Sequence, residues 1–192
     1  MIIGITGGIG SGKSTVLHML KREFGAKIYI ADEYGHMALL PEYSCYKPIL
    51  ELFGGEILDN CGGIDRDKLS QIVYQDDKKL TMLNRIIHPF VWNRIEEDIK
   101  KNKDASIHVI ESAILIEAGY EKICDKIYAV IASREVRIKR LEQERGYTVA
   151  KAEGIMQKQM SEWELRSRCD GVIENNGDLK GLKKQLEKLF LR

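Results

Sequence analysis

The chain has 192 residues, 44% of them apolar and 31% charged, a balance that excludes disordered and fibrous classes and suits one α/β domain with a real core. Thirty lysines and arginines stand against 29 aspartates and glutamates, a net charge of +1. That near-neutrality argues against a general nucleic-acid binder, so any anion specificity must come from locally placed cations.

The first six residues, "MIIGIT", form a short apolar run ending in glycines, as a buried parallel strand does. "KSTVLHMLKREFG" then puts Val16, Leu17, Leu20 and Phe24 on one helical face, with Gly25 as the stop. "AKIYIAD" is the second expected strand, "SIHVIES" the third, "KIYAVIAS" the fourth and "GVIEN" a short fifth. Between strands two and three lies a mainly helical region, about residues 34 to 104, with "YKPILELFG", "DRDKLSQIVYQ" and "KLTMLNRIIHPFVWNRIEEDIKK". Pro89 is expected to kink or divide the last of these. "REVRIKRLEQERG" and "TVAKAEGIMQKQM" read as two basic or polar helices around Gly146, and Asp178 is a candidate N-cap for the closing helix. Alternating strands and helices imply a parallel sheet with helices on both faces. The βαβ start with its Gly-rich turn puts the ligand at the carboxyl ends of the strands.

The four cysteines are far apart with no C-x-x-C pair, and the four histidines are equally scattered. Neither pattern has a zinc spacing, and the thiols read as reduced. No run approaches the roughly 20 apolar residues of a membrane span. The short apolar start has no basic leader of the signal-peptide kind. The expected location is the cytoplasm, with no membrane partner.

Chemistry concentrates in "GITGGIGSGKST", where Gly7 to Ser14 fits G-x-x-x-x-G-K-[ST] without a gap. Glycines permit the backbone conformations and the close approach that bare N–H groups need to wrap a phosphate chain. The helix that follows turns its positive end toward the same anion. Gly8, Ile9, Gly10, Ser11, Gly12, Lys13, Ser14 and Thr15 are therefore the candidate nucleotide-binding residues. Lys13 supplies charge to the β- and γ-phosphates, and the Ser14 hydroxyl is the candidate Mg²⁺ ligand. The loop alone does not choose between a GTPase, an ATPase and a small-molecule kinase. There is no base-reading N-K-x-D segment, the chain is short for a large ATPase, and the second strand is expected to end in Asp32. These three features favour a kinase.

Together, "GITGGIGSGKST", "IADEYGH", "LFGGEILDNCGGIDRDKL", "RIIHP", "VIESAILIEAG" and "DGVIENNG" resemble the dephospho-CoA kinase family, in order from Ile3 to about Leu186. The resemblance implies a P-loop fold: a five-stranded parallel core, here residues 1–33, 105–133 and 170–192, a helical CoA-binding region over 34–104 and a helical lid over 134–169. It implies transfer of the γ-phosphate of ATP, with Mg²⁺, to the ribose 3′-hydroxyl of dephospho-CoA. Asp32 matches the family acid that serves as base. Arg66, His88 and Glu117 match substrate-side positions, and Glu111 ends the third strand where waters on Mg²⁺ are held. Arg140 is the candidate lid cation for the transferred phosphoryl group, with Arg137 on the same helix face and Arg145 nearby. Gln159, Arg168 and Asp170 match family positions near the adenine side and the last strand. Each has a blander reading: a helix cap for Asp32, packing for His88, solvated surface charge for Arg66, Glu117 and the lid arginines.

The chain departs from the family pattern in several places. Ile30 replaces the first carboxylate of D-A-D, Glu111 to Glu117 read ESAILIE where the family has D-x-P-L-L-F-E, and Leu165 stands where a lysine is expected. Glu144 occupies the second arginine position of the lid, with Arg145 one place late. One residue is about 100° of helix turn, so Arg145 substitutes only if the helix ends there. Two other readings stay open on the residues alone: a P-loop kinase for a nucleoside, nucleotide or sugar acid, and a nucleotide-binding protein that no longer catalyses. A monomer and a small homo-oligomer are both compatible with the sequence.

Overall fold

The short apolar runs form five strands, β1 (Ile2–Thr6), β2 (Lys27–Ile30), β3 (His108–Glu111), β4 (Lys126–Ile131) and β5 (Gly171–Glu174). The structure is a computed structural model and describes residues 1–190. The sheet order is β2-β3-β1-β4-β5, and β1 pairs in parallel with β3 and β4, as β4 does with β5. β2 and β3 lie on one side of β1, and β4 and β5 on the other. The winding therefore switches direction at β1, and crevices at such switch points are where ligands bind in open α/β sheets.

Helix α1 (Lys13–Phe24) returns from β1 and buries Val16, Leu17 and Leu20 against Ile3, Ile5, Val109 and Val130. Gly25, at φ 65°, ends it as the sequence predicts. At the other end of the chain, α9 (Leu179–Phe190) adds Leu182 and Leu186 to the same core. Asp178 caps α9 as expected, its carboxylate accepting the Gly181 N–H at 2.7 Å.

The chain forms two compact units, Met1–Tyr29 with Asn102–Arg192, and Ile30–Lys101. The second is helical: α2 (Ala31–Met37), α3 (Tyr46–Phe53), α4 (Arg66–Gln75) and α5 (Asp77–Lys101) close on Ala38, Ile49, Phe53, Ile57, Leu69 and Leu83. Two expectations are corrected here. β2 stops at Ile30, so Asp32 sits in the first turn of α2 rather than at a strand end. Ala31 is a strong helix former, and the carboxylates of Asp32 and Glu33 suit the positive end of the helix. Pro89 does not divide α5, which runs unbroken from Asp77 to Lys101. Pro89 and Arg85, whose carbonyl loses its helical partner, are both exposed, so water can satisfy that oxygen.

The segment after β4 forms three helices rather than two: α6 (Arg134–Arg145), α7 (Val149–Met156) and α8 (Glu162–Arg168). Ser133 caps α6 and Thr148 caps α7. α7 stops short of the expected Met160, and α8 starts on a capping box in which Ser161 and Glu164 satisfy each other's backbone N–H groups. Among the described residues no helix is long and apolar enough to cross a membrane.

One polar pair is buried inside the first unit. The Tyr29 hydroxyl and His108 Nδ1 lie 3.1 Å apart, with His108 only 6% exposed. Burial holds the His108 pKa below its usual value, and His88 on α5 is lowered for the same reason. On acidification the unfolded chain therefore binds the proton first. The stability these neutral rings represent is fully present above about pH 6.5 and is lost as the pH falls through the lower folded values. Urea unfolding is expected to show falling stability from about pH 7 to pH 5, and His108→Gln is expected to flatten part of that slope. An unchanged slope in His108→Gln would contradict this assignment.

Candidate functional site

The Gly-rich loop leaves β1 at the switch point and enters α1. Its backbone reaches the left-handed region at Gly10 (φ 75°) and Gly12 (φ 88°), where an L side chain is strained. Gly12 is also the N-cap of α1, and no side chain caps that helix end. Its glycine identity is fixed twice, because a Cβ there would collide with the Asn175 carboxamide. Lys13 folds back over the loop, donating from Nζ to the Gly7 carbonyl at 2.9 Å and pairing with Glu111 Oε1 at 3.6 Å. Glu111 is the last residue of β3 and lies opposite Ile5 of β1, so the sheet register itself brings the carboxylate to the loop.

Four further side chains converge on the same loop. Arg137 of α6 donates from Nε to the Ile9 carbonyl at 2.8 Å, while Gln159 Oε1 accepts the Ile9 N–H at 2.8 Å. Arg137 Nη2 and Gln159 Oε1 are 3.4 Å apart, closing a ring around the backbone of one residue, Ile9. Burial lowers the Arg137 pKa, yet a guanidinium starts so high that it stays charged. Arg140, one helical turn on, donates from Nη1 to the Ser11 carbonyl at 3.1 Å and the Gly10 carbonyl at 3.3 Å. Its Nη2 donates to the Asn175 carbonyl at 2.9 Å. The Asn175 side chain donates from Nδ2 to the Ser11 carbonyl at 2.9 Å and the Gly12 carbonyl at 3.5 Å. Ser11 Oγ is buried beside them with no hydrogen-bond partner among the described residues. The result is a loop whose carbonyl oxygens are held by cations and amides and which has three positive charges around it, an arrangement suited to polyphosphate.

The expected loop residues Gly8 to Thr15 thus fall together with Lys13, Glu111, Arg137, Arg140 and Gln159. Ser14 is exposed in the first turn of α1. Asp32, Arg66 and His88 belong to the helical unit. Asp32 is exposed on α2, and its side chain is not the helix cap, because Ile30 holds that position. α2 packs on α5, with Tyr34 donating to Asp98 at 2.9 Å, so Asp32 and His88 ride on two helices in mutual contact. Arg66 is exposed at the first residue of α4, where Asp65 caps. Glu117 is exposed in the turns after β3. Asp170 ties the last two strands, accepting the Ile127 N–H at 2.8 Å and the Lys126 ammonium at 3.2 Å, contacts that hold its carboxyl below the usual range.

The departures also find their places. α6 ends at Arg145, with Gly146 in the left-handed conformation behind it, and both Glu144 and Arg145 are exposed. Leu165 is buried against Ala129 and Ile131, so the position where a lysine is expected belongs here to the core. Residue type alone does not mark Asn175 as part of the site. It closes the expected fifth strand "GVIEN" and lies in the "DGVIENNG" stretch that carries the resemblance, and its burial follows from the strand order.

The sequence profile of the dephospho-CoA kinase family matches residues 1–181. A dephospho-CoA kinase of Fusobacterium nucleatum is 42% identical over 188 residues, covering 98% of this chain and 96% of that protein. Among solved structures, TT1252 from Thermus thermophilus aligns with a TM-score of 0.86 at 30% identity, over 100% of this chain and 96% of that one. Dephospho-CoA kinase from Campylobacter jejuni aligns with a TM-score of 0.70 at 22% identity, over 99% and 97%, a likeness of fold.

Because Gly12 combines a left-handed backbone with a blocked Cβ direction, Gly12→Ala is expected to weaken phosphate-chain binding by more than about tenfold. Gly154→Ala, where a Cβ meets nothing within 4 Å, is the control expected to leave binding unchanged. Calorimetric titration with ADP checks both.

Proposed function

The chain belongs to the dephospho-CoA kinase family, and on that premise we propose how its residues carry the γ-phosphoryl group of ATP to the ribose 3′-hydroxyl of dephospho-CoA, giving coenzyme A and ADP. The observation that carries the reading is the loop Gly7–Thr15 with Lys13, Arg137 and Arg140 bonded directly onto it. Phosphoryl transfer asks little covalent chemistry of a protein and much positioning and charge neutralisation. Backbone N–H groups of the loop and the first turn of α1 hold the phosphate chain. Lys13, steadied by Glu111, supplies charge to the terminal phosphates. Arg137 through Nε and Arg140 through Nη1 are anchored on loop carbonyls, which fixes their positive charge beside the transferring group.

A Mg²⁺ ion fits this donor set. Among the described residues there is no cluster of three or more acidic, histidine or cysteine side chains that holds a metal by itself. Mg²⁺ in phosphoryl-transfer sites needs none, being bound through substrate phosphates, water and one or two protein oxygens. The Ser14 hydroxyl would hold it, with Glu111 orienting water, and it would supply neutralisation of phosphate charge.

On the acceptor side, Asp32 takes the proton of the ribose hydroxyl as it attacks. Arg66, His88 and Glu117 are the residues we assign to binding dephospho-CoA. Arg66 offers charge to its phosphates, and His88 is neutral at pH 7 because burial lowers its pKa.

Acceptor-dependent ADP release tests this function across dephospho-CoA, adenosine, AMP, CMP and gluconate. Turnover with dephospho-CoA well above the blank is expected, and no turnover above the blank would overturn the reading. Lys13→Ala is expected to abolish transfer. Asp32→Asn is expected to lower kcat by about 10²- to 10⁴-fold, and near-normal turnover would remove Asp32 from the role of base.

A further inference from the structure

We infer that Asn175 is a positioning residue for the donor site, whose carboxamide turns the peptides on either side of Gly12 so that their N–H groups face the phosphate chain. This rests on the reading of the loop as a phosphate cradle. A trans peptide is planar, with its C=O and N–H pointing in opposite directions. Whatever grips the Ser11 carbonyl therefore aims the Gly12 N–H the other way, and a grip on the Gly12 carbonyl does the same for Lys13. Asn175 Nδ2 reaches both oxygens, at 2.9 Å and 3.5 Å.

Asn175 is itself held hard. Its N–H donates to the Ile131 carbonyl at 2.8 Å, continuing the β4–β5 ladder beyond Glu174. Its own carbonyl accepts from Arg140 at 2.9 Å, and the residue is 4% exposed. The Ser11 carbonyl is thus gripped by two donors from two elements, Asn175 at the end of β5 and Arg140 on α6. The close approach is possible only because residue 12 has no Cβ. A carboxamide suits the task because it donates without carrying a negative charge toward the incoming anion. A carboxylate at 175 would face two carbonyl oxygens with no hydrogen to give.

The inference separates from a plain structural tie by which kinetic constant moves. Steady-state kinetics, ADP calorimetry and thermal unfolding are compared for the full chain and for Asn175→Ala, Asn175→Asp and Asn175→Ser. The KM for ATP and the Kd for ADP are expected to rise together by about tenfold or more in Asn175→Ala and further in Asn175→Asp. Asn175→Ser, which keeps a shorter donor and is the mildest change to the fold, is expected to fall between these and the original. The KM for dephospho-CoA is expected to stay unchanged. Unaltered ADP affinity in folded variants, with only the unfolding temperature lowered, would overturn the role. Failure of the unaltered chain to bind ADP would overturn the reading of the loop, a result distinct from failure of the Asn175 variants to differ from it.

Discussion

A backbone that offers its N–H groups to an anion must first dispose of its carbonyl oxygens. That constraint organises the first unit. The carbonyls of Gly7, Ile9, Gly10 and Ser11 are taken by Lys13, Arg137, Arg140 and, again at Ser11, Asn175. These four donors come from three stretches of chain: the start of α1, the middle of α6, which carries both arginines, and the residue after β5. The loop is therefore shaped by the whole first unit and not only by its glycines, which supply freedom that the surrounding side chains then remove. The sheet order makes this possible, because β4 lies beside β1 with β5 next to it, and they lead into α6 and Asn175 at the loop.

The same constraint explains why the departures from the family pattern leave the reaction class intact. The three cations around the loop are Lys13, Arg137 and Arg140, and none of them is a departing position. Glu144 lies on the exposed end of α6, and Arg145 is the residue at which that helix stops. Leu165 gives up a charge but gains packing against Ala129 and Ile131 under α8. Ile30, where the pattern has a carboxylate, is the last residue of β2, and the remaining acid, Asp32, moves into the first turn of α2. In our reading the donor chemistry belongs to the first unit, and the acceptor chemistry draws on Asp32, Arg66 and His88 of the helical one.

Much of this was legible in the residues. Short apolar runs marked the five strands, and the 3.6-residue face of Val16, Leu17 and Leu20 marked α1. Local chemistry also marked the cap at Asp178 and the ligand loop itself. What escaped depends on distance along the chain. Gln159 meets Ile9 across 150 residues, and Asn175 meets Ser11 across 164, so neither contact exists until the strands are ordered. Two misses were local. The Ser161–Glu164 capping box stood in a polar stretch without an apolar run to draw attention to α8. Pro89 signalled a kink or a division, and of these the division does not occur, because the helix carries the proline on an exposed face.

The destination of the terminal phosphate decides the function. Following an isotope-labelled γ-phosphate of ATP in a single turnover with dephospho-CoA tests this most directly. The label is expected in coenzyme A, on the ribose 3′-oxygen, at the rate at which ADP forms. Label released as free phosphate at a rate indifferent to dephospho-CoA would contradict it.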